Sequence, residues 1–303
     1  MARPLRIHIP DKVYHLFARG NNKAPIFREN GDFHRFLELL AGALARFRVE
    51  CISYCLLSNH YHALVIPRVH SVSRLMHQVN GSYCRWFNRR HGRVGHVLQG
   101  RFGSRIVDDN DYLLTALRYV AMNPVAAGCS SRPDDWTWSS YRAIAGLCET
   151  PPFLTLDPVW RAFGCLDDVS GRPRYIAHVG KEGPVEELQD AVLFGGDLLA
   201  RIVRPLLEPH REDRAFLYED RFATRPPLGT LFVDVDSTAS ARHAAWTAFH
   251  THAYTLGEIG EVVGRSPSTI SRWIHRIDIE AGQNGHRIGR SWHENIRSAR
   301  FKL

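Results

Sequence analysis

The run ECISYCLLSNHYHALVIP, residues 50–67, constrains the fold more than any other stretch. It sets two apolar segments, rich in β-branched and aromatic residues, on either side of the turn-forming pair Ser58-Asn59. A link that short returns the chain antiparallel, so the two segments form a hairpin. A hairpin alone is marginal in water and must be covered by other elements. Its second strand also carries a chemical oddity. Residues i and i+2 of a strand point the same way, so His60 and His62 project together while Tyr61 and Ala63 face the opposite side. Two imidazoles so placed can share a divalent metal, but His-x-His also arises as ordinary polarity on a sheet, and both readings stand at this point.

The flanking sequence supplies the cover. Residues 12–19 (KVYHLFAR) alternate as a strand, and Phe33, Phe36, Leu37, Leu40, Leu44 and Phe47 mark an amphipathic helix over 32–47. A second helix is expected over 72–90 on the stripe Leu75, Val79, Tyr83 and Phe87, although Gly81 weakens it. The glycine-punctuated basic loop HGRVGHVLQGRF leads to a short strand around SRIVD. From Asp109 the pattern DNDYLLTALRYVAMNP predicts a third helix that stops at Pro124. Strand, helix, strand, strand, helix, strand is the split βαβ, ferredoxin-like order with one helix added, and the fold class expected is α+β. On the third helix Tyr119 and Asn123 lie four apart and share a face. Asn123 offers an oxygen to a hard cation and Tyr119 a nucleophile, or else the two are a core aromatic and a helix-end residue.

Charge divides the chain. Residues 1–145 hold 20 Lys/Arg against 10 Asp/Glu, residues 146–240 hold 10 against 16, and residues 241–303 hold 9 against 5. Two basic blocks around an acidic one suggest two modules that face a polyanion. The first runs to residue 145. The acidic, Pro- and Gly-rich stretch 146–240, with short helical pieces such as VEELQDAVLFG, is a connecting region whose role is not legible. Over 241–303, YTLGEIGEVVGRSPSTISRW reads as a helix, a turn at Gly264, and a second helix capped by Ser266 with Pro267 at its first position. The six cysteines form no C-x-x-C pair and lack zinc-ribbon or disulfide-framework spacing, so reduced, mostly buried thiols are expected. No stretch approaches the roughly 20 apolar residues of a membrane span, and a secretory h-region is lacking, so a cytoplasmic protein is expected.

The segments MARPLRI, YHLFARGNN, YCLLSNHYHALV, NGSYCRWFNRRHGRVGHVLQGRF, LLTALRYVAMNPVAAG and WTWSSYRA, in this order, resemble the REP-associated tyrosine transposases, a branch of the single-tyrosine HUH transposases. The resemblance spans residues 1–145. It implies a metal-dependent endonuclease and strand-transferase that acts on single-stranded palindromic hairpin DNA through a 5′-phosphotyrosine. It places the nucleophile on Tyr119 and the ligands of Mg²⁺ or Mn²⁺ on His60, His62 and Asn123. Where the family often has an acidic residue before the turn asparagine, this chain has Ser58. Tyr112 and Tyr83 are alternative nucleophiles, and a hairpin-binding regulator or a water-using phosphodiesterase are alternative functions.

Single-stranded DNA asks for cations and flat surfaces. Arg85, Arg89, Arg90 and Arg93, with Arg101, Phe102 and Arg105, are the expected contacts, with Trp86 and Phe87 more often core residues on a helix. The resemblance adds Arg3 and Arg6 for sequence recognition beside a hairpin. The C-terminal stretch resembles the helix-turn-helix of bacterial replication initiators, which implies duplex DNA contacts from Ser266, Ser268, Thr269, Ser271 and Arg272, or else a plain helical packing module.

Overall fold

A computed structural model describes residues 8–69, 71–107, 110–183, 193–194, 197–208, 225–233, 235, 237–250, 252 and 254–280. Arg3, Arg6, Asp109, most of VEELQDAVLFG and residues 281–303 lie outside the described residues. Two compact units divide between Thr224 and Arg225. The stretch set apart above as a connecting region is therefore shared between them.

The first unit is built on strands β1 (Val13–Arg19), β2 (Val49–Leu57), β3 (His60–Pro67) and β4 (Gly103–Val107), which pair antiparallel in the order β2-β3-β1-β4. This is the expected split βαβ sheet. A two-residue strand β5 (Leu193–Phe194) adds in parallel to β4, in a segment expected to be helical. Helices α1 (Asn30–Phe47) and α2 (Val72–Arg90) cover one face. Tyr61 turns toward them, where its ring packs on Phe36 and its hydroxyl donates to Asn80 Oδ1 at 2.8 Å. Gly81 does not interrupt α2, because the buried stripe of Leu75, Val79, Tyr83 and Phe87 outweighs the propensity cost of one glycine.

The opposite face carries α3 (Asn110–Ala126). The helix does not stop at Pro124. A proline forfeits one backbone hydrogen bond, which is tolerable in a last turn that other bonds close. Here Ala127 N–H donates to Asn123 O and Cys129 N–H to Pro124 O. Helices α4 (Tyr141–Ile144), α5 (Asp157–Ala162) and α6 (Asp168–Val179) complete this side, followed by α7 (Asp197–Leu207).

Residues 136–179 are an integral part of this unit. Trp136 Nε1 donates to Leu56 O, Leu56 N–H to Trp138 O and Thr155 N–H to Cys51 O, so the segment covers the outer edge of β2 that would otherwise be exposed. Asn110 Nδ2 donates to Ala162 O, and the His178 ring bonds Leu114 O, which ties α5 and α6 to α3. Trp160, Tyr175 and Val179 are buried in the shared core. At Gly171 a Cβ would lie 2.4 Å from the Trp160 ring, so α6 needs glycine to seat against α5.

The second unit holds α8 (Thr238–His250), α9 (Leu256–Val263) and α10 (Pro267–Glu280) around Ala245, Ala248, Tyr254, Ile259, Ile270 and Ile274. Thr255 and Glu258 form a capping box at the start of α9. Gly264 takes φ 65°, a left-handed turn that suits glycine, and Ser266 Oγ accepts from Thr269 N–H to cap α10.

If 136–179 supports α3, then Trp160→Ala is expected to cost about 3–5 kcal/mol. Urea denaturation of the full chain checks this, and a loss under 1 kcal/mol, on the order of a surface substitution, would contradict it.

Candidate metal and DNA site

The register of the central strands assembles the site. β1 and β3 pair Phe17 with His62 and Arg19 with His60, while β1 and β4 pair His15 with Arg105. Alternation then puts His15, Phe17, Arg19, His60, His62 and Arg105 on the face that α3 covers. His62 and Asn123 are almost fully buried, and Tyr119 is half-buried. The Tyr119 ring meets His62 edge-on at 5.3 Å between centroids and His15 at 5.9 Å. His60 and His62 stand perpendicular with centroids 5.1 Å apart. Strand spacing and helix spacing thus converge on one point.

His60 Nε2 lies 3.2 Å from Asn123 Oδ1, and its Nδ1 lies 2.6 Å from Asn59 Oδ1. Asn59 donates its amide nitrogen to Lys23 O, so its oxygen is the atom turned to the ring and His60 Nδ1 carries the proton. Burial lowers the His60 pKa, opposed by the Asn123 contact and aided by the Arg19 charge. A neutral His60 then faces Asn123 Oδ1 with a bare Nε2. Two lone-pair atoms at this distance repel unless a cation lies between them. Ligands at about 2.1 Å in an octahedral shell sit about 3 Å apart, so the pair fits one edge of a Mg²⁺ site. His62 has its Nδ1 engaged by His15 Nε2 at 2.8 Å, which leaves Nε2 as its ligand atom. Burial pushes the His62 pKa well down, with His15, His60 and Arg105 adding to the effect. The residues present therefore fit a hard divalent ion.

One further cluster of metal-type side chains, Glu29, Asp32 and His91, stands elsewhere. Its atoms are already satisfied. Asp32 Oδ2 accepts from the Arg28 and Glu29 N–H groups, both Asp32 oxygens contact His91 Nε2, and Glu29 is paired with Arg90. It caps α1.

The basic residues divide in the structure. Arg85 and Arg89 are exposed on α2, and Arg101 lines two adjoining cavities of about 610 and 500 Å³ that share Asn80 and Gly81. Asn21 lines the second cavity, and Gly20 beside it donates its N–H to Asn59 O. Arg90 is held by Glu29 at 2.7 Å, and Arg93 lies half-buried over the Phe87 ring at 5.8 Å. Phe102 is 4 % exposed, so it floors the first cavity instead of offering a free stacking surface. Arg105 lies over the Phe17 ring at 4.6 Å on the histidine face. Gly103 permits this, since a Cβ there would sit 2.2 Å from the Phe17 ring. Tyr83 is 1 % exposed on the opposite face with its hydroxyl on Ile26 O, which removes it as an alternative nucleophile. Tyr112 is exposed on α3, about 10 Å along the axis from Tyr119 at 1.5 Å per residue.

Arg74 also lines the first cavity. Arg19, Arg74 and His15 carry no mark of a site in the sequence taken residue by residue. The alternation His15, Phe17, Arg19 within YHLFAR held the signal for two of them. In the second unit, Ser266, Ser268, Ser271 and Arg272 are exposed and Thr269 is half-buried at the start of α10.

Residues 9–123 match the family model described as "Transposase IS200 like". No curated protein matches the sequence. Among solved structures the chain is similar to one described as "Structure of the REP associates tyrosine transposase bound to a REP hairpin", at 15 % identity and a TM-score of 0.40 over 51 % of this chain and 92 % of that chain. No helix among the described residues is long and apolar enough to cross a membrane.

Burial drives the His15 pKa from 6.5 down to about 3, with the Arg105 charge adding to the effect. Because the folded value lies below the unfolded one, the unfolded chain binds more protons, and stability present above about pH 6.5 is lost progressively as pH falls toward 3. The urea midpoint of metal-free protein is expected to fall between pH 7 and pH 4.5, and to fall less in His15→Phe. Equal slopes would contradict the burial of a neutral His15.

Proposed function

We propose that this chain, whose residues 9–123 match the IS200-like transposase model, is a metal-dependent single-stranded DNA nicking and joining enzyme that uses Tyr119. The observation that carries this reading is the meeting of Tyr119 with His60, His62 and Asn123, from two elements, at one buried point. His60 Nε2, His62 Nε2 and Asn123 Oδ1 would hold Mg²⁺ or Mn²⁺. When bound, such an ion neutralises charge on a phosphate oxygen and orients the phosphodiester for in-line displacement.

The chain's own residues supply the rest. The Tyr119 oxygen attacks phosphorus and forms the Tyr–O–P bond as the bond to the 3′-oxygen breaks, which leaves a free 3′-hydroxyl and a 5′-phosphotyrosine. The attack needs the deprotonated phenol, and the proton taken up by the departing 3′-oxygen balances the one lost. A second 3′-hydroxyl reverses the exchange, so joining needs no ATP. Arg19, exposed at the same strand end as His60, places a guanidinium where a phosphate would pass. The groove bounded by Arg74, Asn80 and Arg101 offers apolar walls to bases and cations to the backbone, the combination that single strands require. Hairpin DNA is the substrate that the motif resemblance supports. In the second unit, the exposed hydroxyls and Arg272 at the start of α10 support a helix-turn-helix contact with duplex DNA.

Incubation with hairpin-bearing single-stranded DNA and Mn²⁺ is expected to give a covalent protein–DNA adduct on denaturing gels, absent from Tyr119→Phe. An adduct retained by Tyr119→Phe would move the nucleophile elsewhere, with Tyr112 next. Cleavage that leaves a free 5′-phosphate and no adduct would favour attack by water.

A further inference from the structure

We propose that His15 is a positioning residue: through Nε2 it accepts the Nδ1–H of His62 and so holds His62 in the tautomer whose Nε2 is bare for a metal. The inference rests on the ligand assignment above. His15 and His62 are 47 residues apart in sequence, yet their nitrogens approach to 2.8 Å and their rings stack at 5.0 Å with an 18° tilt. Both side chains are buried, at 1 % and 6 % exposure, so no solvent proton substitutes for this contact. Between two nitrogens at that distance there is room for one proton, and it belongs either to His15 or to His62. If His15 donates, a neutral His62 carries its own proton on Nε2 and cannot ligate. If His62 donates, Nε2 is free. Metal-bound histidines almost always give their second N–H to a fixed acceptor. His60 follows that rule through Asn59, and His15 is the partner in the corresponding position for His62.

A second observation bears on why imidazole stands here at all. His15 Nδ1, which carries the ring's own proton in this tautomer, is buried with no hydrogen-bond partner among the described residues, a cost that only the contact to His62 offsets. Its neighbours are the Phe17 and Tyr119 rings, against which a phenylalanine would pack without leaving a polar atom unsatisfied. A position that served packing alone has no use for imidazole. The geometry asks for an acceptor aimed at His62.

Two readouts on the full chain test this. In metal-free, ¹⁵N-labelled protein at neutral pH, long-range ¹H–¹⁵N correlation is expected to find His62 as the Nδ1–H tautomer. Calorimetric titration with Mn²⁺ is expected to show affinity reduced about 10–100-fold in His15→Phe. His15→Gln, whose side-chain oxygen can accept from Nδ1–H, should restore most of it. Circular dichroism establishes that each variant is folded. If His15→Phe does not fold, the wild-type tautomer and the glutamine variant decide the matter. An Nε2–H tautomer of His62 in the wild type, or a folded His15→Phe with unchanged affinity, overturns the proposal. If the wild type binds no Mn²⁺, the ligand assignment fails on its own, whereas a His62 tautomer that switches in His15→Phe still supports the role of His15.

Discussion

The pairing of β1 with β3 brings three imidazoles onto one buried face, and the remaining parts of the first unit answer the demands this makes. A ring nitrogen removed from water must find a partner or a ligand. Asn59 in the hairpin turn serves His60, His15 on the next strand serves His62, and Asn123 arrives from α3 opposite His60. Each contact depends on strand register. Slipping β3 by one residue would turn both histidines into the α1–α2 side and bring Tyr61 out of it. The tight Ser58-Asn59 turn, held by Gly20, Ile26 and Phe27 N–H groups on its two carbonyls, prevents that slip.

α3 bears the two remaining groups, and its position is set from outside the sheet. Helices α5 and α6 hold it through hydrogen bonds to Leu114 O and from Asn110, and through the buried Trp160 and Tyr175. An acidic, Pro- and Gly-rich stretch thus fastens a helix over the histidines.

Much of this was legible because it is local. Periodicity marks α1 and α2 to within two residues, the two-residue turn fixes the hairpin, and His60 and His62 share a face by alternation alone. Tyr119 and Asn123 share one by helical spacing. What could not be read is set by faces that meet across long separations. His15 and Phe17 look like ordinary strand residues until β1 lies against β3 and β4. Phe102 reads as a stacking surface beside arginines, yet it is buried in the floor of the groove. Arg90 reads as a free cation, yet Glu29 holds it from 61 residues away. Pro124 looks like a stop, and only the bonds beyond it show why α3 runs on. Residues 157–179 hide their role because α5 and α6 are short, 6 and 12 residues, and the partners of their buried side chains lie far away in sequence.

The proposed cation joins β3 to α3 through His60, His62 and Asn123, beside Tyr119. Pulsed electron paramagnetic resonance of Mn²⁺ bound to the full chain tests it directly, since coupling to histidine nitrogen identifies the ligands. Two coupled imidazole nitrogens are expected, with one lost in His60→Ala and the other in His62→Ala. Bound Mn²⁺ without nitrogen coupling, or with coupling that survives both substitutions, would contradict it.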